Sequence, residues 1–258
     1  MTFTEPQLLA WLQQYFWPFL RIGALMTIAP VIGQRIVSPR IRILLSLLLT
    51  VVIAPLLPEP APLQAFAAEW FRVLAQQLLI GVVAGFVLVL VFEAVAMGAE
   101  MIAFGMGLSF AQLADPLRGV SAPVLGQVMT ISATLLFLAL GGHLVLIEMI
   151  VRSFTTLPVD GTGLGRDAIV ALVHFSGIVF VGGLQLALPI VISLLAVNLA
   201  MGVISRSAPA MNLFAVGFPM TLIAGLVLLR AGLPAFNEGV EGLFNQAWEL
   251  LGQLLKVG

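Results

Sequence analysis

The chain has 258 residues, 61% of them hydrophobic and 9% charged, with a mean hydropathy of +1.15 and a formal net charge of −1. A soluble domain carries about a quarter charged residues, so part of this surface must face lipid or partner protein instead of water. The near-neutral balance, with one lysine, excludes nucleic acid, which requires clustered Lys and Arg, and the lack of cysteine excludes disulfides and thiolate chemistry.

The first residues, MTFTEPQ, are acidic rather than basic. A cleavable signal peptide needs positive charge before its apolar stretch, so the first run is expected to be retained. Six apolar stretches follow, about Leu8–Ile32, Ile43–Leu57, Val73–Phe110, Val128–Val151, Ala168–Ile204 and Leu213–Leu233. The second is short for a membrane span. The third and fifth far exceed the roughly 20 residues a span needs, which predicts tilt, a break, or helix emerging into protein. Pro189, preceded by Gly182 and Gly183, predicts a kink or break in the fifth. Gly81 and Gly85 form a GxxxG suited to close helix contact.

The connections differ in character. Arg35, Arg40 and Arg42 in the Gly33–Arg42 loop place it on the cytoplasmic side, which with six spans would leave both termini outside. Pro55–Pro62 is a proline-rich turn, and Arg152–Asp167 is a glycine-containing surface loop. In the tail, Val240, Leu243, Phe244, Trp248 and Leu251 recur at helical spacing with Glu238, Glu241 and Glu249 elsewhere, which predicts an amphipathic terminal helix over about 237–256.

Charged residues sit inside or at the ends of the apolar runs: Arg21, Glu93, Glu100, Glu148 with Arg152, and Arg230. A charge at the centre of a lipid-facing helix costs about 2.5–3.5 kcal/mol on insertion scales, so these helices are expected to face protein or water. Glu93 and Glu100 are seven residues apart and share a helical face with Met97 and Phe104. Two readings remain: a proton or cation path, or carboxylates bonded to neighbouring helices in a buried assembly. The second is favoured, because a pathway needs polar partners on several helices. Glu148 and Arg152 have the i,i+4 order of a favourable ion pair near a helix end.

Signals for catalysis are nearly absent. His143 and His174 stand in different stretches without HExxH spacing, so no zinc site is expected. The DGTGLG segment lacks the Lys-Ser/Thr of a phosphate loop and reads as a flexible turn. His143, after Gly141 and Gly142, reads as a packing histidine; Gln185 and Asn198 read as interhelical glue. Met97, Met101 and Met106 lead into the polar segment SFAQLADPLRGVSAP, where flexible thioethers would suit a deformable constriction as well as they suit simple gap filling. From Met201 to Met220, Arg206 follows a long apolar run, Pro209 prevents its simple continuation, Asn212 can cap the next helix, and Gly217 and Pro219 shape its start.

At these residues the chain resembles the FliR/SctT/SpaR family of type III export-gate proteins. The segment ISRSAPAMNLFAVGFP carries the most specific match, at Arg206, Pro209, Asn212, Phe214, Gly217, Phe218 and Pro219. Further matches are Ala29–Pro30 with Gly33; Glu93, Gly98, Glu100, Gly105 and Asp115; and Gly141–His143 followed by Ser153–Phe154. The resemblance covers essentially the whole chain. It implies an all-α fold of integral-membrane-type helical hairpins with long broken helices, in a helical hetero-oligomer with FliP and FliQ. It further implies a FliP-like part over about 1–155 and a FliQ-like part over about 156–258. The implied partners are FliP, FliQ, FlhB and FlhA, with unfolded flagellar proteins as substrates, in the bacterial inner membrane within the flagellar basal body.

By the same resemblance the chain is a non-enzymatic channel subunit without cofactor or metal. The segment Met106–Ala122 corresponds to the family's pore plug, with Met106, Phe110, Gln112, Leu113, Asp115, Pro116, Leu117 and Arg118 as pore or plug residues. Glu93, Glu100, His143, Glu148, Arg152, Arg206 and Asn212 become inter-subunit or buried polar contacts, and Pro189, Pro209, Gly217 and Pro219 shape turns or kinks. Two rival readings stand beside this one. A proton-coupled secondary transporter for a small solute would use Glu93 and Glu100 as coupling carboxylates, and a purely structural scaffold would tolerate loss of the Met106–Ala122 loop.

Overall fold

The structure, a computed structural model, describes residues 5–34, 36–58, 60, 63–64, 66–108, 124–159, 163–207 and 213–257. The described residues are helical with short connections, and contain no strand. In chain order the helices are α1 (Glu5–Ile28), α2 (Pro39–Ile53), α3 (Ala68–Gly105), α4 (Val124–Ala139), α5 (Gly142–Thr156), α6 (Arg166–Phe175), α7 (Ile178–Ser207) and α8 (Leu213–Leu255). A single 3-10 turn, Ala54–Leu56, follows α2.

Four helical segments among the described residues are long and apolar enough to cross a membrane: Pro39–Leu56, Ala68–Gly105, Arg166–Ser207 and Gly217–Leu255. Taking α4 and α5 together as one broken span makes five. The six stretches expected from the sequence therefore do not map onto six such helices. α1 is absent from the set, because Gln13, Gln14, Tyr15, Pro18 and Arg21 dilute its apolar residues.

Two sequence boundaries move. The fifth stretch is interrupted at Ser176–Gly177, whereas the helix runs continuously through Pro189. A proline inside a helix removes one hydrogen bond and leaves the carbonyl four residues back unpaired; around it, the exposed Ser193 hydroxyl donates to the Pro189 carbonyl at 2.8 Å. The sixth stretch and the amphipathic tail are a single helix of 43 residues, α8, with Pro219 and Pro234 inside it. Its tail has the expected two faces: Val240, Leu243, Phe244 and Leu251 are buried, while Glu238, Glu241 and Glu249 are exposed.

The chain divides into two compact units. One comprises Met1–Leu90, Leu138–Ser176 and Asn245–Gly258; the other comprises Val91–Phe137 and Gly177–Phe244. In the first unit α1 lies directly on α3. A Cβ on Gly81 would collide with the Arg21 carbonyl oxygen, and one on Gly85 would come within 3.0 Å of the Ala29 nitrogen. Lipid is as apolar as the helices, so inside a membrane such close packing, more than water exclusion, holds helices together.

α2 packs on α1 the other way round from a helix in water. Its buried side chains are Ser46, Thr50 and Ile53, while Leu44, Leu47, Leu48, Val51 and Val52 point outward. Ser46 and Thr50 satisfy their hydroxyls within the helix, on the carbonyls of Arg42 and Ser46. The Arg42 guanidinium donates to the carbonyls of Gln34 and Val37 and so ties down the preceding loop.

One end of this unit is rich in aromatic rings. Trp11 and Tyr15 pair at 5.2 Å, and Phe16 stacks on Trp70 at 5.7 Å. Trp17, fully buried, contacts both Phe16 and Trp70. Phe66 and Phe71 flank Trp70 at 5.6 and 5.2 Å.

The second unit is centred on Phe92, Phe137 and Phe244, whose ring centroids lie 5.4–6.0 Å apart. Such offset and edge contacts add roughly 0.5–1.5 kcal/mol per pair beyond burial. Glycines again set the spacing: Gly98 approaches the Gly183 carbonyl, and Gly182 leaves room for the Leu243 side chain.

Candidate functional site

The charged residues separate into one buried group and several exposed ones. Among the described residues Arg21 is the only buried charge, with no exposure at all. Its Nε donates to Gln77 Oε1 at 2.8 Å, Nη1 to Ser153 Oγ at 2.9 Å, and Nη2 to the Leu157 carbonyl at 2.8 Å. The guanidinium carbon lies 4.0 Å from the centre of the Phe154 ring. This is a fork used in full: three donors on three acceptors, with an aromatic face as a fourth wall. Hydrogen bonds to a charged group contribute about 1.5–3 kcal/mol each, so the cluster ties α1, α3 and the end of α5 together.

The local sequence explains the reach. Gly81 brings the α1 backbone against α3 at the level of Arg21, and Gln77 stands one turn earlier on α3. Ser153 also donates to the Ile150 carbonyl at 2.6 Å, which leaves its lone pairs to the arginine. The sequence signal was an arginine and a glutamine in separate apolar runs and a serine just past a third, in the stretch Arg152–Asp167 expected to be a surface loop; instead α5 continues to Thr156, and Ser153, Phe154 and Leu157 are buried. Nothing in their spacing couples them, and Arg21 was not among the expected contact residues.

The expected contact residues are placed differently. Glu93 and Glu100 are both exposed on α3, and among the described residues neither has an ion-pair partner. They belong to a narrow outward stripe that includes Phe86 and Phe104, on a stretch of helix otherwise largely buried. Glu148 and Arg152 form their i,i+4 pair at 2.6 Å in the second half of α5, and both side chains are more than half exposed. His143 is half-buried, with its Nδ1 enclosed and without a hydrogen-bond partner. Gly141 before it has φ +70°, which permits the turn between α4 and α5 at no steric cost. Arg206 is exposed in the last turn of α7.

Of the expected plug residues, Met106 alone is described. It is 2% exposed, and its side chain fills the space a Cβ on Gly225 would need. The Thr221 hydroxyl reaches the Met106 carbonyl at 3.3 Å. One residue earlier, the Gly105 carbonyl accepts from the Asn198 amide at 3.3 Å, as interhelical glue. The chain thus enters the segment after α3 from a point pinned to α7 and α8. Phe110, Gln112, Leu113, Asp115, Pro116, Leu117 and Arg118 lie outside the described residues, as do Pro209 and Asn212. Pro189 is inside α7; Gly217, buried, and Pro219 are in the first turns of α8.

A cleft of about 100 Å³ in the second unit is lined by Gly182, Gln185, Pro189, Phe236 and Gly239 with neighbouring apolar residues. It contains no titratable side chain. Among the described residues no three of His, Asp and Glu come together to hold a metal. Among the described residues the arrangement offers packing surfaces and exposed carboxylates.

Comparison with known proteins agrees over almost the full length. The flagellar biosynthetic protein FliR of Escherichia coli (strain K12) is 42% identical over 253 residues, covering 98% of this chain and 96% of that protein. Its namesake in Pectobacterium carotovorum is 40% identical over 256 residues, covering 99% and 97%. The one in Aquifex aeolicus (strain VF5) is 30% identical over 248 residues, covering 96% and 94%. The model for bacterial export proteins, family 1, matches residues 12–247, and the chain belongs to that family.

Proposed function

We propose that this chain is a subunit of the flagellar type III protein export gate, forming and gating the channel for unfolded flagellar proteins. The observation that carries the reading is 42% identity to a flagellar biosynthetic protein in an alignment covering 98% of the chain. The physical character of the chain supports it: long apolar helices, an outer surface rich in Leu, Val and Ile, and carboxylates exposed on a helix too apolar for water. Such a surface suits burial against other subunits. On this reading the partners are FliP and FliQ, with FlhB and FlhA beside them, in the inner membrane within the basal body. A FliP-like part covers about 1–155 and a FliQ-like part about 156–258. Glu93, Glu100, His143, Glu148, Arg152, Arg206 and Asn212 make contacts at subunit interfaces, and the chain performs no catalysis.

Within this reading Met106–Arg118 contributes to the seal of the resting channel, with Met106 as its fixed root. The test of the function is complementation. Expressed in an E. coli strain lacking its own FliR, the chain should restore swimming and secretion of flagellar proteins. A stably inserted chain that restores neither would refute the reading. The plug is tested by deleting Met106–Arg118 in the assembled gate, which should raise ion leak across the membrane; unchanged conductance would remove that role. The transporter alternative has no comparable support, since Glu93 and Glu100 gather no polar partners from other helices among the described residues.

A further inference from the structure

Within the second unit α7 and α8 carry paired weak points. Pro189 has no N–H for the Gln185 carbonyl, and Pro234 has none for that of Arg230. One turn beyond Pro189, the Ser193 hydroxyl donates back to the Pro189 carbonyl, an arrangement that bends helices. Three glycines place the two prolines at one level. A Cβ on Gly182 would lie 2.9 Å from Leu243, one on Gly239 2.6 Å from Leu186, and one on Gly232 3.5 Å from Ile190. Numbers rise along α7 as they fall along α8, so the helices are antiparallel and Pro189 faces the turn that contains Pro234. The cleft of about 100 Å³ opens at this level, lined by Pro189, Gly232 and Ala235 among others, and leaves room for bending there.

Beyond this level the helix pair is fastened to the end of α3. The Asn198 amide donates to the Gly105 carbonyl and the Thr221 hydroxyl to the Met106 carbonyl, each at 3.3 Å, which is long for such bonds. The Met106 side chain occupies the space that Gly225 leaves open. Release strands neither donor: the Thr221 hydroxyl also reaches the Phe218 carbonyl at 3.0 Å, and Asn198 is exposed.

We propose that residues 190–207 and 213–233 form a hinged arm, which turns at Pro189 and Pro234 and is latched in its closed position to Gly105 and Met106. The leverage is sufficient. Asn198 lies about 13 Å along α7 from Pro189, so a swing of roughly 10° displaces it by about 2 Å, enough to part bonds that are already long. Hinges of this kind give one packed element two discrete positions. The inference rests on the reading in which Met106 is the fixed root of the channel's seal: the latched arm holds that root, and the released arm frees it.

Two measurements test it. The first is amide exchange in the full complex with which the chain copurifies. Pro189→Ala with Pro234→Ala restores both missing N–H donors and stiffens the hinge, and exchange at the Met106 amide, which bonds to the Ile102 carbonyl, should slow at least threefold. The prolines lie about 13 and 20 Å along their helices from Asn198 and Thr221, so a merely local effect would leave that amide as it was. Unchanged or faster exchange overturns the proposal. The second is a covalent latch. The chain has no cysteine, and a Cβ on Gly105 would lie 3.8 Å from that of Leu194, the separation found in disulfides. In an E. coli strain lacking its own FliR, Gly105→Cys with Leu194→Cys should lose at least tenfold in secretion of flagellar proteins on oxidation, relative to the parent chain under the same oxidant, and regain it on reduction. Equal secretion in the two forms, or a pair that does not bridge, overturns the proposal; if the reduced variant does not assemble, the exchange measurement decides alone. Exchange is read whether or not the complex exports, so a failed hinge and a failed export reading give separate results.

Discussion

At the centre of the first unit three helical segments close around a guanidinium, whereas the centre of the second is three phenylalanines and a set of glycine contacts. Among the described residues the second unit keeps its charges outside, with Glu93, Glu100, Arg206 and Arg230 all exposed. The difference teaches how one apolar composition obtains specificity in two ways. Ring packing tolerates small shifts, because dispersion is spread over many atoms. A three-way hydrogen-bonded fork does not, because each acceptor must be within about 3 Å and correctly aligned.

The sharpest way to break this comparison is Arg21→Ala. It empties a fully buried site and strands Gln77 and the Leu157 carbonyl, and the expected loss is about 4 kcal/mol. Thermal unfolding in detergent should reveal it as the largest single loss, with Arg21→Lys recovering less than half, since a point charge cannot serve three acceptors at once. Phe244→Ala in the second unit should cost less, about 3 kcal/mol. If its melting shift exceeded that of Arg21→Ala, the buried charge would not be the stronger tie.

The glycines sharpen the contrast on a smaller scale. Gly81→Ala meets backbone that cannot yield, and should lower stability by about 2 kcal/mol; Gly225→Ala meets the flexible Met106 side chain and should cost about 1 kcal/mol. Equal denaturation midpoints for the two would mean that backbone and side-chain neighbours yield alike. The smallest effect belongs to Arg152→Ala. Its ion pair with Glu148 is more than half exposed, and the change in stability should stay within about 0.5 kcal/mol. A larger fall in the isolated chain would show that the pair does more than decorate α5.

Much of this architecture was legible because it rests on periodicity. The apolar runs became helices, the tail became a two-faced helix, and the GxxxG at Gly81 and Gly85 became a close helix contact. What was illegible is what depends on distance along the chain. Arg21 meets partners 56, 132 and 136 residues away, and no local pattern encodes those meetings. The sixth stretch was expected to end near Leu233, before a separate tail helix, yet α8 continues through Pro234, because its tail gains enough buried surface to outweigh one missing hydrogen bond. Interior charges were rightly singled out as informative. Their positions in sequence could not separate the one wrapped inside the chain from those left for its surroundings.

The inverted helix α2 has a consequence for how this chain relates to its medium. What fixes α2 to its neighbour is written in Ser46, Thr50 and Ile53, while Leu44, Leu47, Leu48, Val51 and Val52 describe only what lies outside. Fold and environment are thus encoded on separate faces of the same fifteen residues. The outer face is an address label: rewritten with polar side chains, it would direct the helix to water while leaving the inner face, and the contact it makes, unread and unchanged.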